Sequence, residues 1–197
     1  MANILQATVT IHGTRALLWH TFSRDTIPTE KRERTGVAGN DPDEWHRSYS
    51  ATADGQLYLD PAYIFGTIRD GAKHTSRKRG TLQPWVASTL QVADDRVLTD
   101  RYLVDPLPDD PTAPVYLDVR SVKNPATRAR NVRYRVAASR GWSATFTIQW
   151  DKTVVSRSEM LAAMRDAGAF VGIGDGRSIG FGRFSYDPDT DCVVSEV

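Results

Sequence analysis

The segment Gly172-Ile-Gly-Asp-Gly-Arg-Ser-Ile-Gly-Phe-Gly-Arg-Phe184 packs five glycines into eleven positions and threads two arginines through them. Glycine reaches positive φ without a Cβ clash and lets backbone N–H groups close on a ligand, although each interior glycine costs conformational entropy. Concave rows of N–H groups beside cations receive phosphate. Context excludes three familiar phosphate loops. A dinucleotide fingerprint follows a strand and opens a helix, whereas this segment follows a helix-like stretch and leads into a strand-like run, Gly180 to Tyr186. A Walker loop needs Gly-Lys-Ser/Thr, which is absent, and a kinase loop opens a much larger domain. A plain turn before a last strand is the competing reading.

The second feature is charge distribution. The net charge is only +1, yet Val119 to Trp150 holds no acid while Arg120, Lys123, Arg128, Arg130, Arg133, Arg135 and Arg140 supply seven positive charges. Lys and Arg neutralise successive phosphates of a polyanion. Tyr134 and Trp142 lie in the same stretch, and single-strand binders combine cations with stacking faces. The alternative is a solvated face paired with the acids at Asp105 to Asp110.

Catalytic groups are sparse. His12, His20, His46 and His74 are candidate general acids or bases, because histidine titrates near neutrality. Spacing assigns none of them a partner. Asp41 and Asp43 are explained by an Asn-Asp-Pro-Asp turn. No Ser/His/Asp motif, His-Glu-x-x-His or paired cysteine is present. The reading is binding rather than catalysis, with no cofactor and no metal.

A chain of 197 residues, 40% apolar and 25% charged, suits one globular domain spanning 1–197. A single cysteine excludes a disulfide framework. No basic-flanked apolar leader and no run of about 18 apolar residues occurs, so a cytoplasmic protein without membrane contact is expected.

These motifs need positioning. Alternation at Leu5, Ala7, Val9 and Ile11 predicts a first strand over Ile4 to Ile11. Residues 24–48 read as a loop or insertion. Leu57 to Leu59 is a short strand, and Asp60-Pro61 opens a helix to about Ser76 with a cationic exit over Lys73 to Arg79 that includes Arg77 and Lys78. Apolar runs Val86 to Val92 and Arg96 to Leu103 suit strands, as do Val115 to Val122, Arg133 to Ala137 and Ser143 to Trp150. Residues 105–142 form an inserted basic hairpin. Ser156 caps a second helix ending near Gly168. The order predicts an α+β, ferredoxin-like (RRM-like) core with an inserted basic β-hairpin and a C-terminal glycine-rich loop.

The segments "TVTIHGTRALLWH", "LYLDPAYIFGTIRDGAK" and "GIGDGRSIGFGRF", with "RNVRYRVAASRGWSATFTIQW" between the last two, resemble the RAMP superfamily of CRISPR-associated proteins. The chain looks most like the guide-binding backbone subunits of multisubunit effector complexes, or a stand-alone phage or mobile-element relative. That resemblance implies an RRM-like core holding single-stranded nucleic acid by its backbone, RNA ahead of DNA, in repeated copies along the strand and beside other effector subunits. By position it assigns Gly174, Gly176, Arg177 and Ser178 to the loop contacts, and Arg69 and Lys73 to the helix contacts. Arg120 to Arg135 match the hairpin by location and charge. The family also contains metal-independent endoribonucleases, some with a catalytic histidine after the first strand, which singles out His20 as the candidate acid or base and keeps guide-RNA processing open. Some backbone subunits cut target RNA with an early-loop aspartate and a divalent ion, a place Asp41 or Asp43 would take by position, although the turn is preferred. A nucleotide-dependent transferase and an assembly protein with a basic interface are the readings from other classes.

Overall fold

The computed structural model describes residues 3–21, 41–123 and 130–197. The chain opens with β1 (Ile4–Gly13), in which Leu5, Ala7, Val9 and Ile11 are buried while Thr8 and His12 face solvent. That is the period-two pattern of a strand with one covered face. β2 (Leu17–Leu18), a 3-10 turn at Glu44–Arg47, and β3 (Gln56–Leu59) come next. α1 (Pro61–Gly71) is followed by a small hairpin of β4 (Ser76–Arg77) and β5 (Gly80–Thr81), then α2 (Gln83–Thr89), β6 (Gln91–Val92) and β7 (Val97–Tyr102). β8 (Val115–Lys123), β9 (Arg130–Ala138) and β10 (Ser143–Asp151) precede α3 (Arg157–Asp166). The chain continues through a π-helical turn at Ala167–Val171 and a 3-10 turn at Arg177–Ile179 to β11 (Phe184–Ser185) and β12 (Cys192–Glu196).

β11 and β12 both pair with β1, β1 with β10, β10 with β7, and β7 with β3, all antiparallel. Counting β1, β7, β10 and β12 as the principal strands, the order across the sheet is last, first, third, second. This is the expected ferredoxin-like α+β core. Ile64 and Ile68 of α1 and Met160 and Met164 of α3 bury against the inner residues of β1 and β10 in one cluster. The outer face carries a polar ladder instead, with Thr10 to Thr145 at 2.9 Å and Gln149 Nε2 donating to Gln6 Oε1 at 2.7 Å. Trp19, Trp142 and Trp150 are fully buried, and each indole N–H donates to a carbonyl, those of Tyr58, Arg15 and Val155.

Caps place the helices as the sequence predicts. Asp60 accepts the Ala62 N–H at 2.7 Å with Pro61 in the first turn, and Ser156 and Glu159 form a reciprocal capping box on α3. Three expectations need correction. The strand expected over 86–92 reduces to Gln91–Val92, because Leu82, Val86 and Leu90 are buried at a spacing of four and the residues before Leu90 wind into α2. α1 stops at Gly71, where a Cβ would lie 2.4 Å from the Ala163 carbonyl oxygen of α3, and the chain leaves through a 3-10 turn at Ala72–His74 instead of reaching Ser76. The terminal strand expected over Gly180 to Tyr186 reduces to Phe184–Ser185, and the long edge partner of β1 is β12.

β8 and β9 form the basic hairpin, in continuous register from Val115 opposite Ala138 to Lys123 opposite Arg130. That register also sets Arg120 opposite Arg133. β2 pairs with the other edge of β9 through Leu17 and Leu18. Of the stretch 24–48, residues up to 40 lie outside the described residues, as does Arg128 of the basic stretch.

Candidate nucleic-acid interface

The glycine loop lies between the hairpin and α1 and is bonded to both. On one side the Asp175 N–H donates to the Leu18 carbonyl at 2.9 Å, and the Asp175 carboxylate pairs with Arg135 at 3.1 Å. On the other side the Thr67 hydroxyl of α1 donates to the Gly172 carbonyl at 3.0 Å, and Arg177 approaches Asp70 at 3.9 Å. Asp70 also pairs with Arg69 and Lys73, each at 3.1 Å. Two helix cations and one loop cation, more than a hundred residues apart in sequence, thus converge on one carboxylate. Burial alone would raise the Asp70 pKa, but hydrogen bonds from Lys73 and Arg69 outweigh it and hold the carboxyl below its ordinary range.

The loop itself is not extended. An extended run of Gly172, Gly174 and Gly176 would bare one backbone face, yet Gly174 has φ +77° and Gly176 φ +68°. A Cβ on Gly174 would sit 2.6 Å from the Leu18 carbonyl oxygen, and one on Gly176 would sit 3.0 Å from the Phe181 ring. The space these glycines leave is filled by the chain's own β2 and loop. Ser178 is exposed in the 3-10 turn beside Arg177.

The hairpin cations divide into two groups. Arg120 is clamped by Asp118 and lies over the Phe181 ring at 4.4 Å, Arg133 pairs with Glu44, and Arg135, only 5% exposed, pairs with Asp175. Neutralising acids therefore come from outside the acid-free stretch, which linear charge counting misses. Lys123 and Arg130, at the hairpin end, and Arg140 have no ion-pair partner among the described residues. Trp142, a stacking face by sequence, is fully buried and unavailable; Tyr134 stays half-buried. Arg77 donates to the Val154 carbonyl at 2.7 Å, faces Glu159 at 3.5 Å and lies 4.7 Å from the Trp85 ring centre, while Lys78 reaches the same ring at 5.8 Å. These two sit on the β4–β5 hairpin, apart from the Asp70 cluster.

His20 is exposed, and the Tyr63 hydroxyl donates to its carbonyl at 3.5 Å. Desolvation lowers its pKa, Asp175 and Glu44 oppose, and Arg133 and Arg135 reinforce. Asp41 accepts the Asp43 N–H at 3.2 Å and pairs with Arg47 at 2.6 Å, as a turn residue does. The described residues contain no group of three His, Cys, Asp or Glu side chains able to hold a metal ion. No described helix is long and apolar enough to cross a membrane.

Sequence reasoning overlooked Arg15, Phe181 and Arg183. They line a cleft of about 560 Å³ between the turn after β1 and the far end of the glycine loop, with Thr14, Ala169 and Ile179 among the other walls. The turn is pinned, since Thr14 and Arg15 N–H groups donate to the Arg183 carbonyl at 2.8 and 3.2 Å. The available signal was the pair of arginines within one glycine segment.

No protein-family model and no curated protein matches the chain. Solved structures do. One chain of a cryo-EM structure of the Type III-B Cmr-beta bound to cognate target RNA superimposes with a TM-score of 0.52 at 13% identity, over 98% of this chain. This chain spans 61% of that longer one. The likeness is one of fold.

Proposed function

We propose that this protein binds single-stranded nucleic acid, RNA ahead of DNA, through its phosphates, in repeated copies along the strand. The observation that carries this reading is the glycine loop's double attachment, through Asp175 to Arg135 of the hairpin and through Gly172 to Thr67 of α1, which brings Arg177 to Arg69 and Lys73 around Asp70, while Lys123 and Arg130 at the hairpin end have no acid partner among the described residues. The neighbouring fold comes from an assembly bound to RNA, which supports RNA as the strand. Ser178 stands beside this surface as a neutral contact, while Gly174 and Gly176, packed against β2 and Phe181, set the loop's turn. Arg120 and Arg133 act at its inner margin, where acids already hold them. Arg77 and Lys78 extend it weakly, and Arg128 belongs to it by sequence.

Neutralising four or five phosphates gives a slope of log affinity against log salt of about −3 for a single strand. Fluorescence anisotropy with a labelled oligouridylate should show that slope. Lys123→Glu with Arg130→Glu should weaken binding on the order of tenfold or more for every sequence tried. A flat salt titration, or wild-type affinity in the double variant, would refute the reading.

A further inference from the structure

The cleft between the turn after β1 and the glycine loop shares no lining residue with the Asp70 cluster. Its volume of about 560 Å³ lies in the range of small-ligand sites. None of its lining residues is acidic, two are arginines, and Phe181, Ile179 and Ala169 give it an apolar wall. Ile179, 64% exposed, presents its side chain on that wall. The second observation is polar. Arg183 Nη1 is buried and has no hydrogen-bond partner among the described residues, and burial together with nearby Arg177 disfavours its charged form. Arg183 lines the cleft near the like charge of Arg177 and has no acid partner among the described residues, and an anion in the cleft offsets that repulsion.

We propose that this cleft holds one nucleotide unit, its phosphate on Arg183 and Arg15 and its base against Phe181 and Ile179. The wall is preformed, because backbone hydrogen bonds fix the Thr14–Arg15 turn to the Arg183 carbonyl and Gly182 to Ala16. The site is indifferent to base identity, since an apolar wall accepts any base face. The inference deepens the strand-binding reading and rests on it only for the source of the nucleotide, which is one unit of the bound strand.

The test titrates the whole chain with adenosine 5′-monophosphate, adenosine and inorganic phosphate, followed by NMR shifts or calorimetry, and separately with an oligouridylate. The monophosphate should bind at least tenfold tighter than adenosine or phosphate alone. Arg183→Gln and Arg15→Gln should each weaken it about tenfold, and Ile179→Asp, at an exposed position, should do the same without lowering the melting temperature. The same variants should weaken the oligonucleotide severalfold. If the oligonucleotide binds while the monophosphate does not and all three variants hold the strand as tightly as the parent, the cleft proposal falls and the strand reading stands. If the monophosphate binds and no oligonucleotide does, the cleft stands and the strand reading falls.

Discussion

Asp70 sets how much positive charge the helix side of the interface offers, because one carboxylate answers Arg69, Lys73 and Arg177. Asp70→Asn keeps the shape and leaves three cations without an acid. It should tighten single-strand binding severalfold at low salt, while Arg177→Ala should weaken it by about 1 kcal/mol, the worth of a charge-assisted contact. Anisotropy paired with a melt separates these effects from folding. His20 gives a pH signature. Its folded pKa lies below the ordinary 6.5, chiefly through desolvation, so the unfolded chain binds the extra proton first. Stability from neutral His20 is therefore present above that ordinary value and is lost as pH falls from it through the lower folded value. Between pH 7.5 and 5 the parent should lose melting temperature relative to His20→Gln, and equal losses in both would contradict the assignment.

Among the elements, the glycine loop tolerates change least. Gly174 combines φ +77° with a Cβ site 2.6 Å from the Leu18 carbonyl oxygen, so Gly174→Val should cost several kcal/mol through strain and overpacking. Ser156→Ala, which removes half of the capping box on α3, should cost only about 1 kcal/mol. Denaturant titration of both variants orders them, and a mild Gly174→Val would mean the loop yields easily. Local chemistry made much of the fold legible. The Leu5 to Ile11 alternation, the Asp60-Pro61 start and the Ser156 cap each act within a few residues and each predicts its element. α2 was hidden because its apolar run satisfies strand length as well as helix spacing, and only the burial of Leu82, Val86 and Leu90 separates the two. The handedness of the loop glycines was illegible for another reason. It depends on β2 lying against them, a contact across more than 150 residues of sequence. The candidate site was legible in composition and not in pairing, since the acids that hold Arg133 and Arg135 come from Glu44 and Asp175.

At the scale of the whole molecule, the outer sheet face has uncharged Thr and Gln rows between β1 and β10, where an RRM-like binder would stack bases. Recognition is accordingly expected at the hairpin, loop and α1 margin. The hairpin register has a thermodynamic corollary. Lys123 stands opposite Arg130 without an acid among the described residues, and directly opposed like charges weaken strand pairing. Added salt screens that repulsion, and so does a bound polyanion. Salt should therefore act with opposite sign on two equilibria of one surface: hairpin amides should exchange more slowly with solvent as ionic strength rises, while affinity for the strand falls. At low salt, the strand itself should supply the missing protection. Ligand binding and local folding are then linked through the same two charges, and the protein is least ordered at the hairpin end under the conditions in which it binds most tightly.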